Sequence, residues 1–401
     1  MIISCSNAVE VRHTLGQHPG IARLANGDLL LLYGDYTDQM QGQTGYLIRS
    51  RDEGRTWGDP ELMLKPRWWR GGAHTSLGLQ TLRSGRVLIP WTHGANLKLR
   101  HDTPSRFVCL RSDDHGQTWQ GWDDQVLPLY RLSPYGKIIE LPDGDLLCPC
   151  WGQKHAESPY LGTCFVLRSS DGGISWGEPV FICYEDPLGA NETDITLLPD
   201  GRLLALIRVA FNPQEKKTDT ALHPDNAPYV GKGWRPFWVN VSWSDDGGRS
   251  WTRPQRSNVF GQNFNAWLTK RGQLIAGCRG IDGSGFLRTG EIPPGATRWT
   301  EQPGFGLQIF SSYDAGSTWK FHLTLPDPAG LSYSAWHQTG EPAFCNLSDG
   351  RVLVVYYSYD ESILATVEEQ NETNQFIRSE MLRMPFAFKR RICSCVLEIS
   401  E

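Results

Sequence analysis

Glu192, in the stretch NETD, and Glu341, in TGEP, are the carboxylates best placed to do chemistry in this 401-residue chain. Two carboxyl groups flanking a glycosidic bond form hydrolase machinery, one giving a proton and the other acting as base or nucleophile. Asp194 lies two residues beyond Glu192, on the same face of a strand, and could couple to its titration. The segment YGDYTDQMQGQTGY adds Asp35 and Asp38. Arg208 and Arg279 each close an apolar run, GRLLALIR and GQLIAGCR. A planar guanidinium can grip a carboxylate with two parallel hydrogen bonds. PRWWRGGAHTS contributes Trp69 and His74 among glycines. Indole faces stack on sugar rings, and glycine lets backbone come close to a ligand. Tyr333, in LSYSAW, with His74 or His337, offers a different chemistry: proton abstraction from a uronate, as in a polysaccharide lyase. Without catalysis, the same side chains would make a carbohydrate-binding surface. His18, His74, His93 and His337 show no HxH or HExxH spacing, so no metal or other cofactor is expected.

Two interleaved repeats supply the elements that must position these groups. The first reads Ser-x-Asp-x-Gly-x-(Thr/Ser)-Trp and ends at Trp57, Trp119, Trp176, Trp251 and Trp319. Its short Asp side chain can accept backbone N–H bonds and close a tight turn, its Gly supplies positive φ, and its Trp suits the space between sheets. Five copies of one carboxylate indicate a structural role. The second repeat is a polar turn ending in Gly, then a short apolar run, at Gly27, Gly85, Gly144, Gly201, Gly272 and Gly350. Such periodic self-similarity marks a repeat architecture, and six units with four short strands each predict an all-β six-bladed propeller. The innermost strand of each blade is expected just before each Gly turn. Blade six lacks a Ser-x-Asp box, so the N-terminal strand around Ile2–Val11 is expected to complete the sheet of the C-terminal residues and hide the edge strands.

Composition narrows the function classes. No Pro/Ser-rich linker, charge run or low-complexity tract divides the chain, so residues 1–401 read as one domain. The formal charge of −5 is spread among interspersed acids and bases, which argues against nucleic acid. No apolar run reaches the 18 or more residues of a membrane span. The opening MIISCSNAVEVRH lacks the basic region and long apolar core of a secretory signal. The ten cysteines fall mostly in apolar strand-like runs and read as buried thiols suited to a reducing cytoplasm, although a trimmed secreted chain would look the same. The pairs Cys148/Cys150 and Cys393/Cys395 raise zinc as an alternative, without a second CxxC or His cluster to complete a site.

The Ser-x-Asp box is the Asp-box, or BNR, repeat, and over nearly its whole length the chain resembles the sialidase superfamily. The resemblance implies that Glu192 tunes a nucleophile, that Arg208 and Arg279 belong to an arginine clamp on a substrate carboxylate, and that the acid/base Asp sits in the loop holding Asp38. This chain departs from the pattern in two blades. Gln17, followed by His18 and Pro19, stands where sialidases place the Arg of Arg-Ile-Pro, and Glu341-Pro342 stands where they place the nucleophilic Tyr and its Ser. The expectation is an exo-acting glycoside hydrolase with an altered site, acting on a carboxylate-bearing sugar at the channel mouth.

Overall fold

The computed structural model describes residues 1–14, 18–34, 45–64, 74–75, 78–93, 104–155, 163–184, 190–210, 237–280, 306–326, 328, 339–364 and 388–400. Among them there is no helix. Strands of one blade pair antiparallel in chain order. Blade one is Gly20–Arg23, Leu29–Gly34, Gly45–Ser50 and Glu61–Leu64. Blades two and three follow the same order, with the innermost strand split into two short pieces in each. Blades four and five share one long strand, Gln255–Leu268, whose first part is the outer edge of blade four and whose second part is the inner strand of blade five. The strand turns this corner at Gly261, where φ is 153° and an added Cβ would meet Cys278 Sγ at 2.2 Å. Glycine is required there because no side chain fits.

Blade six closes the ring. Gly340–Asn346 pairs with Val352–Leu364, which pairs with Phe388–Ser400, and this last strand pairs with Ile2–Cys5 and Val9–Thr14 from the other end of the chain. Ile3 lies opposite Ile399, and Glu10 opposite Cys393. The expected union of the two termini is therefore present.

The core is divided into six apolar clusters, one in each wedge between neighbouring blades. Leu29, Leu31 and Leu32 of blade one face opposite wedges and have no exposed surface. A strand buried on both faces reads as a continuous apolar run rather than an alternating one, which explains GDLLLLY. Fully burying one such side chain contributes about 1.5–3 kcal/mol. Each Asp-box Trp packs in the wedge between its own blade and the preceding one: Trp57, Trp119, Trp176, Trp251 and Trp319.

The boxes are hydrogen-bonded turns. Asp52 Oδ1 accepts from Ser50 Oγ at 2.8 Å and Thr56 N at 2.9 Å, while Oδ2 accepts from Thr56 Oγ1 at 2.6 Å. Ser50 Oγ accepts from Gly54 N at 2.8 Å. The residue before the box serine reaches across the wedge to the next box. Arg49 donates to His115 O at 2.6 Å, Arg111 to Gly173 O at 3.1 Å, and Trp243 Nε1 to Ala315 O at 2.8 Å. Arg168 donates likewise to Gly247 O. Two outer-strand amides bind the following blade's Trp backbone on both sides. Asn258 Oδ1 accepts from Trp319 N at 2.9 Å and its Nδ2 donates to Trp319 O at 2.8 Å; Gln125 does the same for Trp176. All ten cysteines are free thiols, and nine are buried. Burial pushes the thiols of Cys109, Cys278 and Cys395 well up from their usual range.

Two outcomes follow for stability. Asp314 accepts from Ser312 Oγ at 2.8 Å, Thr318 N at 2.8 Å and Thr318 Oγ1 at 2.6 Å. Asp314→Ala is expected to cost about 1–2 kcal/mol, a fall of roughly 1–3 °C in Tm by calorimetry, while turnover per folded molecule stays unchanged. An inactive but folded variant would contradict this. The Thr56 hydroxyl and then the Thr56 N–H hold the Asp52 carboxyl down, from the usual 3.8 to about 2. A carboxylate depressed on folding stabilises above its unfolded value, and that contribution disappears as pH falls through the folded value. Asp171 is also lowered to about 2. Stability is therefore expected to decline between about pH 4 and pH 2, and thermal unfolding followed across that interval checks the window.

Candidate functional site

Within each repeat one residue stands nine before the turn glycine, on or beside the inner-strand segment. These residues are His18, Ser76, Tyr135, Glu192, Asn263 and Glu341, for Gly27, Gly85, Gly144, Gly201, Gly272 and Gly350. Ser76 lies outside the described residues. Four of the others have left-handed backbone: His18 (φ 60°), Glu192 (φ 37°), Asn263 (φ 56°) and Glu341 (φ 54°). In blades four, five and six the antiparallel register slips at this point. A non-glycine residue in this conformation costs about 1–2 kcal/mol, and such strain persists where the surroundings over-determine it. In blade three the left-handed residue is instead Gly136, next to Tyr135, where an added Cβ would lie 2.6 Å from Asp194 Oδ1.

The strained positions bring distant side chains together. Glu192 Oε1 pairs with Arg208 Nη1, and its Oε2 accepts from Asn263 Nδ2 at 2.9 Å. The same Nδ2 donates to Tyr135 Oη at 2.7 Å. Glu341 Oε2 accepts from His18 N at 2.8 Å and lies 2.9 Å from His18 Nδ1. Among the described residues Glu341 Oε1 carries no hydrogen bond. The Tyr135 phenol is buried, and burial, then the charges of Glu192 and Glu341, raise it well above the usual 10. Asn263 of blade five thus ties Glu192 of blade four to the Tyr135 hydroxyl of blade three.

A second set lies seven residues after the turn glycine. Arg208 is opposite Asn191, Arg279 opposite Gln262, and Tyr357 opposite Gly340, each just before the slip in register. The two arginines therefore occupy equivalent places in adjacent blades. Arg279 Nη1 donates to Tyr357 Oη at 3.0 Å, and its Nη2 donates to Gln262 Oε1.

Asp194 does not join Glu192. It is 1% exposed, pairs with Lys137 Nζ at 2.6 Å, and accepts from Ala266 N at 2.9 Å. The register slip at Glu192 separates the two carboxylates, and Asp194 ties blades three, four and five together one step further along the inner strands. Burial lowers the Lys137 ammonium, against the opposing pull of Asp194. Ile21, Lys137, Asp194, Asn265 and Phe344 line a cavity of about 30 Å³ at this level. Gln17, Asp38, Trp69 and Tyr333 lie outside the described residues. His74 forms the short strand His74–Thr75 and is opposite Thr92. No group of three or more His, Cys, Asp or Glu side chains able to hold a metal occurs among the described residues. Sequence reading missed Tyr135 and Asn263. The constant nine-residue offset to the turn glycine was the signal that would have found them.

With ring and site in place, the class is a six-bladed BNR propeller. Residues 6–207, half of the chain, match the BNR repeat-like domain family, and the chain belongs to that family. None of the curated proteins matches it. Among solved structures it is similar to a protein of unknown function from Dyadobacter fermentans, with TM-score 0.68, 16% identity, and 99% of each chain covered. It is also similar to the Penicillium chrysogenum α-L-arabinanase complexed with arabinobiose (TM-score 0.56, 16% identity, 89% of this chain and 94% of that one). A Hadza microbial sialidase aligns with TM-score 0.58 and 17% identity over 88% of this chain and 66% of that one. At these identities the likeness establishes the fold alone.

The buried pair gives a test of position. Asp194→Asn leaves the Lys137 charge buried without its counter-ion and is expected to destabilise by about 3–5 kcal/mol. Adding Lys137→Met should recover much of the loss in denaturant unfolding. A neutral effect of Asp194→Asn would remove Asp194 from the framework and return it to the site.

Proposed function

We propose that this protein is a glycoside hydrolase that uses Glu192 and Glu341 at the channel mouth. The observation that supports it best is that Glu192, Asn263 and Tyr135, from blades four, five and three, are hydrogen-bonded together, while Glu341 holds the equivalent repeat position in blade six. Their surroundings differ in a way that suits two roles. Both oxygens of Glu192 face donors, Arg208 and Asn263, which favour a fixed carboxylate. Glu341 has one oxygen tied to His18 and the other without a hydrogen bond among the described residues, the form suited to exchange a proton or attack a sugar. The named activities of the arabinanase and sialidase neighbours are consistent with a carbohydrate ligand.

Arg208 and Arg279 extend the reading to a carboxylate-bearing sugar. They share one register position in neighbouring blades, and Arg279 is held by two neutral groups, Tyr357 and Gln262.

Incubation with acidic and neutral oligosaccharides, including arabino-oligosaccharides, followed by mass spectrometry, tests both levels. Hydrolysis adds one water to the summed products, whereas elimination by a lyase adds none and leaves an ultraviolet-absorbing uronide. Glu192→Gln and Glu341→Gln should fold normally and lose activity by about 10²-fold or more, because the isostere cannot exchange protons. Arg279→Ala should weaken an acidic substrate by about 2–5 kcal/mol and leave a neutral one little changed. A neutral glycoside as best substrate would end the acidic-sugar proposal. A chromophoric product unaffected by Glu341→Gln would end the hydrolase proposal.

A further inference from the structure

We infer that Tyr135 contacts the substrate, its hydroxyl donating a hydrogen bond to an oxygen of the sugar held between Glu192 and Glu341. This rests on the hydrolase reading and assigns the site a third functional group, from blade three. Tyr135 occupies the same repeat position as both glutamates, and only 4% of it is exposed. Its oxygen is already an acceptor, for Asn263 Nδ2 at 2.7 Å. A phenol has one hydrogen to give, and here the acceptor role is filled by protein. Among the described residues nothing accepts that hydrogen. Burying an unused donor is costly, so such a group calls for a partner from outside the fold.

The neighbours decide what kind of partner. Burial, then the charges of Glu192 and Glu341, keeps the phenol protonated, so it acts as a neutral donor rather than a phenolate. Asn263 fixes the oxygen by holding Glu192 with the same amide nitrogen. If the two carboxylates flank the scissile bond, the oxygen facing Tyr135 belongs to that bond or to the ring beside it. A donor there strengthens as charge develops in the transition state. A purely structural tyrosine would support Asn263 and have no contact with ligand.

Tyr135→Phe removes the hydroxyl and keeps the ring. On the best oligosaccharide from the panel, kcat/KM is expected to fall by roughly 10–100-fold with Tm little changed. The released monosaccharide, titrated into wild-type protein, should give a tyrosine difference band in the ultraviolet that Tyr135→Phe lacks. Tyr135→Met, which also lacks the hydroxyl, supplies the same comparison should the Phe variant not fold. Full kcat/KM in a folded variant, or a difference band that survives the substitution, overturns the inference while leaving the hydrolase reading intact. A wild-type protein that cleaves no glycoside overturns both.

Discussion

Closure of the ring is the constraint on which the rest of the structure depends. Six twisted sheets can surround one axis only if the last finds a neighbour in the first. Here the N-terminal strands supply that link by pairing with Phe388–Ser400 in blade six. Closure leaves six wedges to fill, and each receives one apolar cluster. Each cluster draws its side chains from two neighbouring blades, so no blade buries its two faces alone.

The Asp boxes work at the rim of those wedges. Each box closes its own turn through Asp and Ser and seats a Trp in the wedge behind it, and the second to fifth boxes present a backbone carbonyl to the preceding blade. The Arg before the box serine is thus an inter-blade strut, which explains its repetition at Arg49, Arg111 and Arg168. None of this machinery reaches the channel mouth. The box carboxylates bond within their own turns and not to Glu192, Tyr135, Asn263 or Glu341, so five copies of a carboxylate are kept apart from the candidate site.

At the axis the inner strands begin in strained backbone. Left-handed residues at His18, Glu192, Asn263 and Glu341 turn side chains from separate blades toward one another. Extended backbone at these points would continue the strand alternation and carry them elsewhere. The strain is supported by the bonds it permits, Glu341 with His18 and Asn263 with both Glu192 and Tyr135.

The sequence by itself determined the all-β propeller, the six inner strands, the box hairpins and the union of the termini. Repetition makes those features local: each is written in a motif of a few residues whose turn chemistry and apolar period act within one blade. It also placed Glu192, Arg208, Arg279 and Glu341 correctly on their strands. Only the tertiary structure decided which groups meet. Strand period put Asp194 beside Glu192, but a register slip, invisible in composition, sends Asp194 to Lys137 instead. Tyr135 and Asn263 carry no motif of their own, and their role arises because closure brings blades three, four and five around one axis. The contact of His18 with Glu341 joins the first blade to the last, and no local pattern specifies a distance that closure alone sets.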